Sequence, residues 1–145
     1  MLNFDVVNEA THHGPYLGKP SLFIEIGSTK QEWNNQDAGK IVAETIIEAI
    51  KSKRKRVEVA VGIGGLHTCT NFNKIISNRD ISIAHFCPKY ALEFLNENMI
   101  HEAIKKTIEK VDFLLLDWKG LKSEKDRIIR IIRDLGIDYR KTNDF

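Results

Sequence analysis

Four of the five histidines in this sequence lie just after, or at the end of, a predicted strand: His12, His13, His67 and His85. A neutral imidazole can act as a general base or as a zinc ligand. A carboxylate, from Glu9 or Glu25, could complete a metal site or serve as the base itself. The chain has no HExxH motif and no paired Cys/His spacing, so spacing alone does not select a metal. A single loop histidine is most often a hydrogen-bonded structural residue, but four at one edge of a sheet favour a functional site.

The glycine-rich run GIGG, residues 62–65, is a second candidate for chemistry. It matches neither a P-loop nor a GxGxxG fingerprint, because His67 occupies the place of the third glycine. One interpretation is a tight turn that allows close packing. The other is a loop whose exposed backbone amides bind a phosphate or stabilise an oxyanion. The sequence supports both about equally.

Basic residues form the run KSKRKR at positions 51–56 and recur late in the chain as Arg127, Arg130 and Arg133. The late series has i, i+3 spacing and lies opposite an isoleucine-rich stripe, so a solvated helix face explains it. The formal net charge is only +2, with a pI near 8.5. That balance neither identifies nor excludes a nucleic-acid partner.

The composition and the number and spacing of the cysteines limit the classes of protein to which this sequence can belong. The 145 residues are enough for one domain with a genuine core, and 42% hydrophobic and 29% charged residues are typical of a globular protein. Cys69 and Cys87 form no CxxC motif, so we expect a reducing, cytoplasmic location. Cys87 next to His85 could be a thiolate nucleophile, but only adjacency supports this, and a buried inert thiol is the better interpretation. No apolar run has the length of a membrane span.

Strand-like and helical segments alternate along the chain. The pattern predicts strands at residues 2–8, 21–27, 56–65, 80–86, 111–118 and 136–141, and helices at 30–51, 88–95, 96–110 and 123–136. Ser123 is the expected N-cap of the last helix, and Gly136 its end. Some strands are apolar on both faces, which favours a three-layer α/β fold with a mixed or mostly parallel sheet. Ligands of such sheets gather at the carboxyl ends of the strands, where the histidine-bearing loops lie.

Five segments, taken together and in this order, carry a resemblance to a known family. They are NEATHHGP, SLFIEIGSTKQEW, VAVGIGGLH, HFCPKYAL and LDWKGLK, and they extend over nearly the whole chain. The sequence resembles the archaeal and plant type of D-aminoacyl-tRNA deacylase, which hydrolyses the ester joining a D-amino acid to tRNA. The resemblance implies an α/β fold like that of peptidyl-tRNA hydrolase and phosphorylase-like proteins, bound zinc, and the aminoacylated acceptor end of tRNA as partner. It leaves the oligomeric state open.

The resemblance implies a site at these residues, and within it we assign a role to each. His12, His13, Glu9 and His67 would be catalytic, with His12 or His13 as base, Glu9 orienting it, and His12, His13 and His67 as the zinc ligands. The amides of Gly64 and Gly65 would polarise the ester carbonyl. The remaining substrate contacts would come from Glu25, His85, Lys89 and Lys119, the two lysines facing the terminal phosphates of tRNA.

Two departures from the family keep alternatives open. Family members carry a further segment before the region that matches residues 8–15, and we expect this chain to lack it. We interpret residues 1–145 as one domain, and we expect it to be a piece of a longer protein. The glycine run continues into Asn71, where the family usually has an arginine. The alternatives are a peptidyl-tRNA hydrolase-like esterase, or a tRNA-binding remnant with impaired catalysis.

Overall fold

The computed structural model describes residues 4–27, 29–53 and 56–145. The chain divides into two compact units. The smaller consists of Met1–Val6 with Leu22–Arg56, and the larger of Val7–Ser21 with Val57–Phe145. Among the described helices, none combines the length and the apolar character that a membrane span requires.

The smaller unit contains α1 (Lys30–Trp33) and α2 (Gln36–Lys51). The sequence predicted one helix over residues 30–51, and the structure divides it at Asn34 and Asn35. The side chain of Asn35 accepts a hydrogen bond of 3.0 Å from the amide of Ala38 and so caps α2. Asparagine competes for backbone partners at such positions, which favours a new helix start over continuation.

The two earliest predicted strands are wrong as far as the structure describes them. Residues 4–8 and 21–27 contain no strand, while residues 2 and 3 lie outside the described part of the chain. Local β-propensity depends on a neighbouring strand to complete the ladder. Asn8 instead forms hydrogen bonds with the side chain of Asn73 on a later helix.

The larger unit is built on a four-stranded sheet of β1 (Glu58–Gly65), β2 (Ile81–Pro88), β3 (Phe113–Leu116) and β4 (Tyr139–Lys141). Within the described residues the strand order is β2-β1-β3-β4, and all three pairings are parallel. The predicted α/β class is therefore confirmed. The carboxyl ends of all four strands lie at one edge because the strands run in the same direction.

Helices cover both faces of this sheet. On one face α3 (Thr70–Asn78) buries Phe72 and Ile75 against Ala60 and Phe113. On the other face α4 (Glu97–Lys105) and α5 (Lys125–Leu135) bury isoleucines against the alternate residues of β1 and against β3. β3 is buried along its whole length, as a strand between two helical layers must be. α3 was not predicted from the sequence, because its four-residue start TNFN is mostly polar.

Element boundaries differ from expectation at several points. The GIGG run is part of β1 and not a loop after it. Ser123 lies inside a 3-10 helix, Lys122–Glu124, so α5 follows Glu124 and the predicted Ser123 cap is wrong. Gly136 ends α5 as predicted, with a φ of 64° that favours glycine. A 3-10 helix, Lys89–Phe94, occupies most of the predicted helix at 88–95.

Candidate functional site

The loop that carries His12 and His13 is fixed to the turn after β1. The amide of Ala10 donates to the carbonyl of His67 at 2.9 Å, and Ala10 itself is buried in the core. Asn73 on α3 fastens the loop further. Its side chain accepts from the amide of Asn8 at 3.0 Å and donates to the carbonyls of Asn8 and Thr68 at 3.1 Å and 2.8 Å.

Three of the four strand-end histidines meet in this region. The ring centroid of His12 lies 4.6 Å from that of His67 and 5.1 Å from that of His13, both in edge-to-face arrangements. His12 is therefore the middle member of the group. The structure thus brings together two segments that are more than fifty residues apart in the sequence.

Glu9 and Tyr90 flank His67. The Nε2 atom of His67 lies 3.6 Å from Oε2 of Glu9, and its Nδ1 lies 3.3 Å from the hydroxyl of Tyr90. We expected Glu9 to orient His12 or His13, but the described contact of its carboxylate is with His67. Tyr90 was not named from the sequence, although it belongs to the HFCPKYAL segment that carries the resemblance.

The Nδ1 atoms of the two loop histidines face backbone carbonyls. His12 Nδ1 lies 3.4 Å from the carbonyl of Ala10, and His13 Nδ1 lies 3.3 Å from that of Gly14. A carbonyl can only accept, so these contacts favour the tautomer that carries its proton on Nδ1. In that tautomer Nε2 keeps a lone pair that can take a proton.

The glycines of β1 serve close packing. A Cβ on Gly65 would lie 2.5 Å from the ring of Phe72, and one on Gly64 would lie 2.9 Å from the side chain of Leu121. Gly64 also has a φ of 99°, which side-chain-bearing residues rarely adopt. A Cβ on Gly120 would meet the carbonyl oxygen of Gly64 at 1.8 Å, so the turn after β3 lies directly against β1.

The other predicted substrate residues lie in separate places. His85 lies within β2, and no contact among the described residues joins it to the three clustered histidines. Burial lowers the pKa of His85, and the charge of Lys106 lowers it further. Lys89 and Lys119 are exposed just after β2 and β3. Glu25 belongs to the smaller unit, and its side chain interacts with another residue of the protein.

The histidines do not fit the zinc ion that the resemblance implies. Over the described ranges, no group of three His, Cys, Asp or Glu side chains is placed so that it could hold a metal ion. His67 directs one ring nitrogen to Glu9 and the other to Tyr90. Both ring nitrogens of His67 thus face other side chains, and the expected ligands His12, His13 and His67 form no three-ligand group in the described part of the chain.

Both cysteines are free, and their surroundings hold them protonated. Burial raises the pKa of Cys87 to about 11. Burial, with a smaller effect of the Glu9 charge, raises the pKa of Cys69 to about 11 as well. Because the thiolate is the reactive form, these values support the inert-thiol interpretation.

The sequence of this chain matches one protein family over most of its length. A family model described as D-aminoacyl-tRNA deacylase matches residues 1–140. Proteins of that name from Thermococcus kodakarensis and Pyrococcus furiosus are 43% and 41% identical to it. These alignments cover 95% and 97% of the chain but 52% of each relative, so the chain spans about half the length of the curated relatives it matches.

A solved structure agrees with this fold. The crystal structure of a conserved protein of unknown function superposes with a TM-score of 0.85 at 31% sequence identity. The superposition covers 95% of this chain and 49% of the other.

Proposed function

The chain belongs to the D-aminoacyl-tRNA deacylase family, and we propose that it hydrolyses the ester bond of D-aminoacyl-tRNA to release the free D-amino acid and tRNA. The observation that carries this proposal is the convergence of His12, His13 and His67 next to Glu9, at the carboxyl end of β1. An ester between an amino acid and a ribose hydroxyl is already activated. A general base and a donor for the developing oxyanion are sufficient to hydrolyse it.

We assign the role of base to His12, because it is the middle histidine and its Nδ1 faces a carbonyl. Its Nε2 would take a proton from a water molecule as the water oxygen bonds to the ester carbonyl carbon. When the tetrahedral intermediate collapses, the bond between that carbon and the ribose oxygen breaks. The imidazolium returns its proton to the ribose oxygen, so the enzyme ends the cycle unchanged.

His67 would hold His12 in place. The carboxylate of Glu9 lies beside Nε2 of His67, and the Tyr90 hydroxyl lies beside Nδ1, so the His67 ring is restrained on both sides. Because His67 is in edge-to-face contact with His12, the restrained His67 ring would also limit the orientation of the His12 ring.

The oxyanion would be stabilised from the exposed turn that contains Leu66 and Thr68. From the sequence we expected the amides of Gly64 and Gly65 in this role, but both glycines are buried in β1 against Phe72 and Leu121. The following turn carries His67 itself and is open to solvent at Leu66 and Thr68.

Selection of the D-enantiomer requires fixed contacts to three groups of the substrate: the ester carbonyl, the ammonium and the side chain. The carboxylate of Glu9 would bind the substrate ammonium.

The partner in this proposal is tRNA, and the compartment is the cytoplasm, where tRNA is aminoacylated. Two free thiols with raised pKa values are compatible with a reducing environment.

The proposal is tested by measuring the release of tyrosine from D-Tyr-tRNA and L-Tyr-tRNA at equal concentrations. We expect faster release from the D-substrate. Equal rates on the two enantiomers would contradict the assignment as a chiral deacylase. Tight binding of tRNA without turnover of either ester would contradict enzymatic function and favour the remnant instead.

A further inference from the structure

A second concave site lies at the carboxyl edge of β3 and β4. It is a cavity of about 330 Å³, open to solvent, between α3, the turn after β3 and the end of the chain after β4. This volume is at the lower end of the range of small-molecule pockets, about 300–1,000 Å³. Its polar lining includes Asn71, Lys74, Asn78, Arg79, Lys119 and Asn143.

Three cations line this cavity. Lys74, Arg79 and Lys119 are all exposed. In the part of the chain that the structure describes, none of them lies within 4.0 Å of an Asp or Glu oxygen, unlike Arg127 and Arg140 elsewhere in this unit. Arg79 donates a hydrogen bond of 2.9 Å to the backbone oxygen of Phe145, which fixes its guanidinium at the rim. Three cations without carboxylate partners on one concave surface are suited to an anion.

The one carboxylate in the lining is directed at other donors. Asp117 is only 6% exposed, and its Oδ2 accepts a hydrogen bond of 2.9 Å from the side chain of Asn71. Its Oδ1 faces the amide of Gly120 at 3.4 Å. Asp117 therefore positions Asn71 and the turn after β3. The exposed charged side chains of the cavity are cations, so its net charge at the surface is positive.

The cavity and the histidine site share a helix and an edge of the sheet. α3 begins three residues after His67, and Asn73 on α3 holds the histidine-bearing loop. Lys74, the next residue, lines the cavity. More positive charge lies at the same edge, where the ammonium groups of Lys125 and Lys141 lie 4.3 Å and 4.2 Å from the centre of the Trp118 ring.

We propose that this cavity binds a phosphodiester group of the RNA backbone, close to the acceptor end of the tRNA. The inference rests on the proposed function, since it adds a binding contact for the same substrate beside the hydrolytic site. Lys74 and Lys119 neutralise the phosphate, and Arg79 and Asn71 form the rim around it. The contact recognises the backbone and not a base, so it serves every tRNA whatever its amino acid.

The test measures binding of an RNA hairpin that carries an acceptor stem and a single-stranded 3′ end, by fluorescence anisotropy over a range of salt concentrations. The double variant Lys74→Gln, Lys119→Gln is compared with the wild type. Each lost phosphate contact reduces the magnitude of the slope of log K against log salt by about 0.7–0.9. Because both lysines contact the same phosphate, we expect the double variant to lose roughly 0.7–0.9 from that slope and to bind roughly fivefold more weakly at roughly 0.1 M salt.

The matched control is Arg130→Gln, Arg133→Gln, which removes two exposed cations from α5 on the opposite face of the sheet. It should change affinity and slope much less. Equal losses in the two double variants would overturn the proposal, because net charge alone would then explain binding. Displacement of the hairpin by micromolar AMP would also overturn it, since the cavity would then be a site for a free nucleotide.

The hydrolysis assay separates this inference from the proposed function. With D-Tyr-tRNA the lysine variant should raise KM and leave kcat unchanged, because neither lysine belongs to the histidine group. If the wild type binds the hairpin through these lysines but hydrolyses no ester, the proposed function is wrong and the assignment of the cavity as a phosphate site is supported. If hydrolysis proceeds and the lysine variant behaves like the arginine control, the cavity assignment fails and the function stands.

Discussion

At the scale of single residues, the sequence predicted four histidines at one edge of the sheet, and the structure brings three of them together. His12, His13 and His67 meet as the strand-end pattern indicated. The carbonyl opposite each Nδ1, and the placement of Glu9 beside His67, depend on loop conformation that residue types alone do not specify. His85, the fourth strand-end histidine, lies inside β2 because that strand continues to Pro88.

The first prediction concerns the cysteines. Their pKa values, raised to about 11, leave little thiolate at pH 7.5, so native protein should react slowly with iodoacetamide. Mass spectrometry of the native and the urea-unfolded protein would compare the two rates, and the unfolded protein provides the control. Rapid alkylation of native Cys87 with loss of hydrolysis would contradict the inert-thiol interpretation.

At the scale of elements, β1 contains closely packed glycines and leads into the turn that carries His67. The second prediction is that Gly65→Ala destabilises the protein, because the new Cβ would lie 2.5 Å from the buried Phe72 ring. Overpacking of this kind typically costs about 1–3 kcal/mol. Gly18→Ala is the matched control, since nothing lies within 4 Å of a Cβ at that position. The free energies of unfolding from urea titrations give the comparison, and equal values for the two variants would refute the packing role.

The elements that sequence reasoning missed have identifiable causes. α3 escaped notice because its apolar face is short, with Phe72 and Ile75 set among polar residues. The early strand predictions failed because alternation of apolar residues indicates a strand only if a partner strand is available. β1 and β3 were predicted because the central strands of a parallel sheet are buried and apolar on both faces, and β2 was predicted because Ile81 and Ile83 alternate with less apolar residues. Asn73, which fixes the histidine loop, had no sequence signal because its role depends on contacts 65 residues away.

At the scale of the whole molecule, stability should depend on pH through His85. Its pKa is lowered in the folded protein, mainly by burial and also by Lys106, so the unfolded chain binds the proton more readily. The stabilisation is therefore fully present above the ordinary histidine pKa and is lost as the pH falls from that value towards the lower folded value.

The third prediction follows from this sign. The urea midpoint of the wild type should fall between pH 7 and pH 5, and His85→Gln should make that fall smaller. His101→Gln, a change on the exposed surface of α4, is the control and should keep the wild-type dependence. An unchanged pH dependence in His85→Gln would mean that other groups produce the effect.

The central claim is that the group formed by His12, His13 and His67 hydrolyses the ester. The most direct test is the rate of D-tyrosine release from D-Tyr-tRNA by the wild type, His12→Ala and His101→Ala. Loss of a general base typically costs about 10²–10⁴-fold in rate, so His12→Ala should fall by that amount with its fold intact. His101→Ala, which removes an exposed histidine of α4, should keep the wild-type rate. A His12→Ala protein as fast as the wild type would contradict the account.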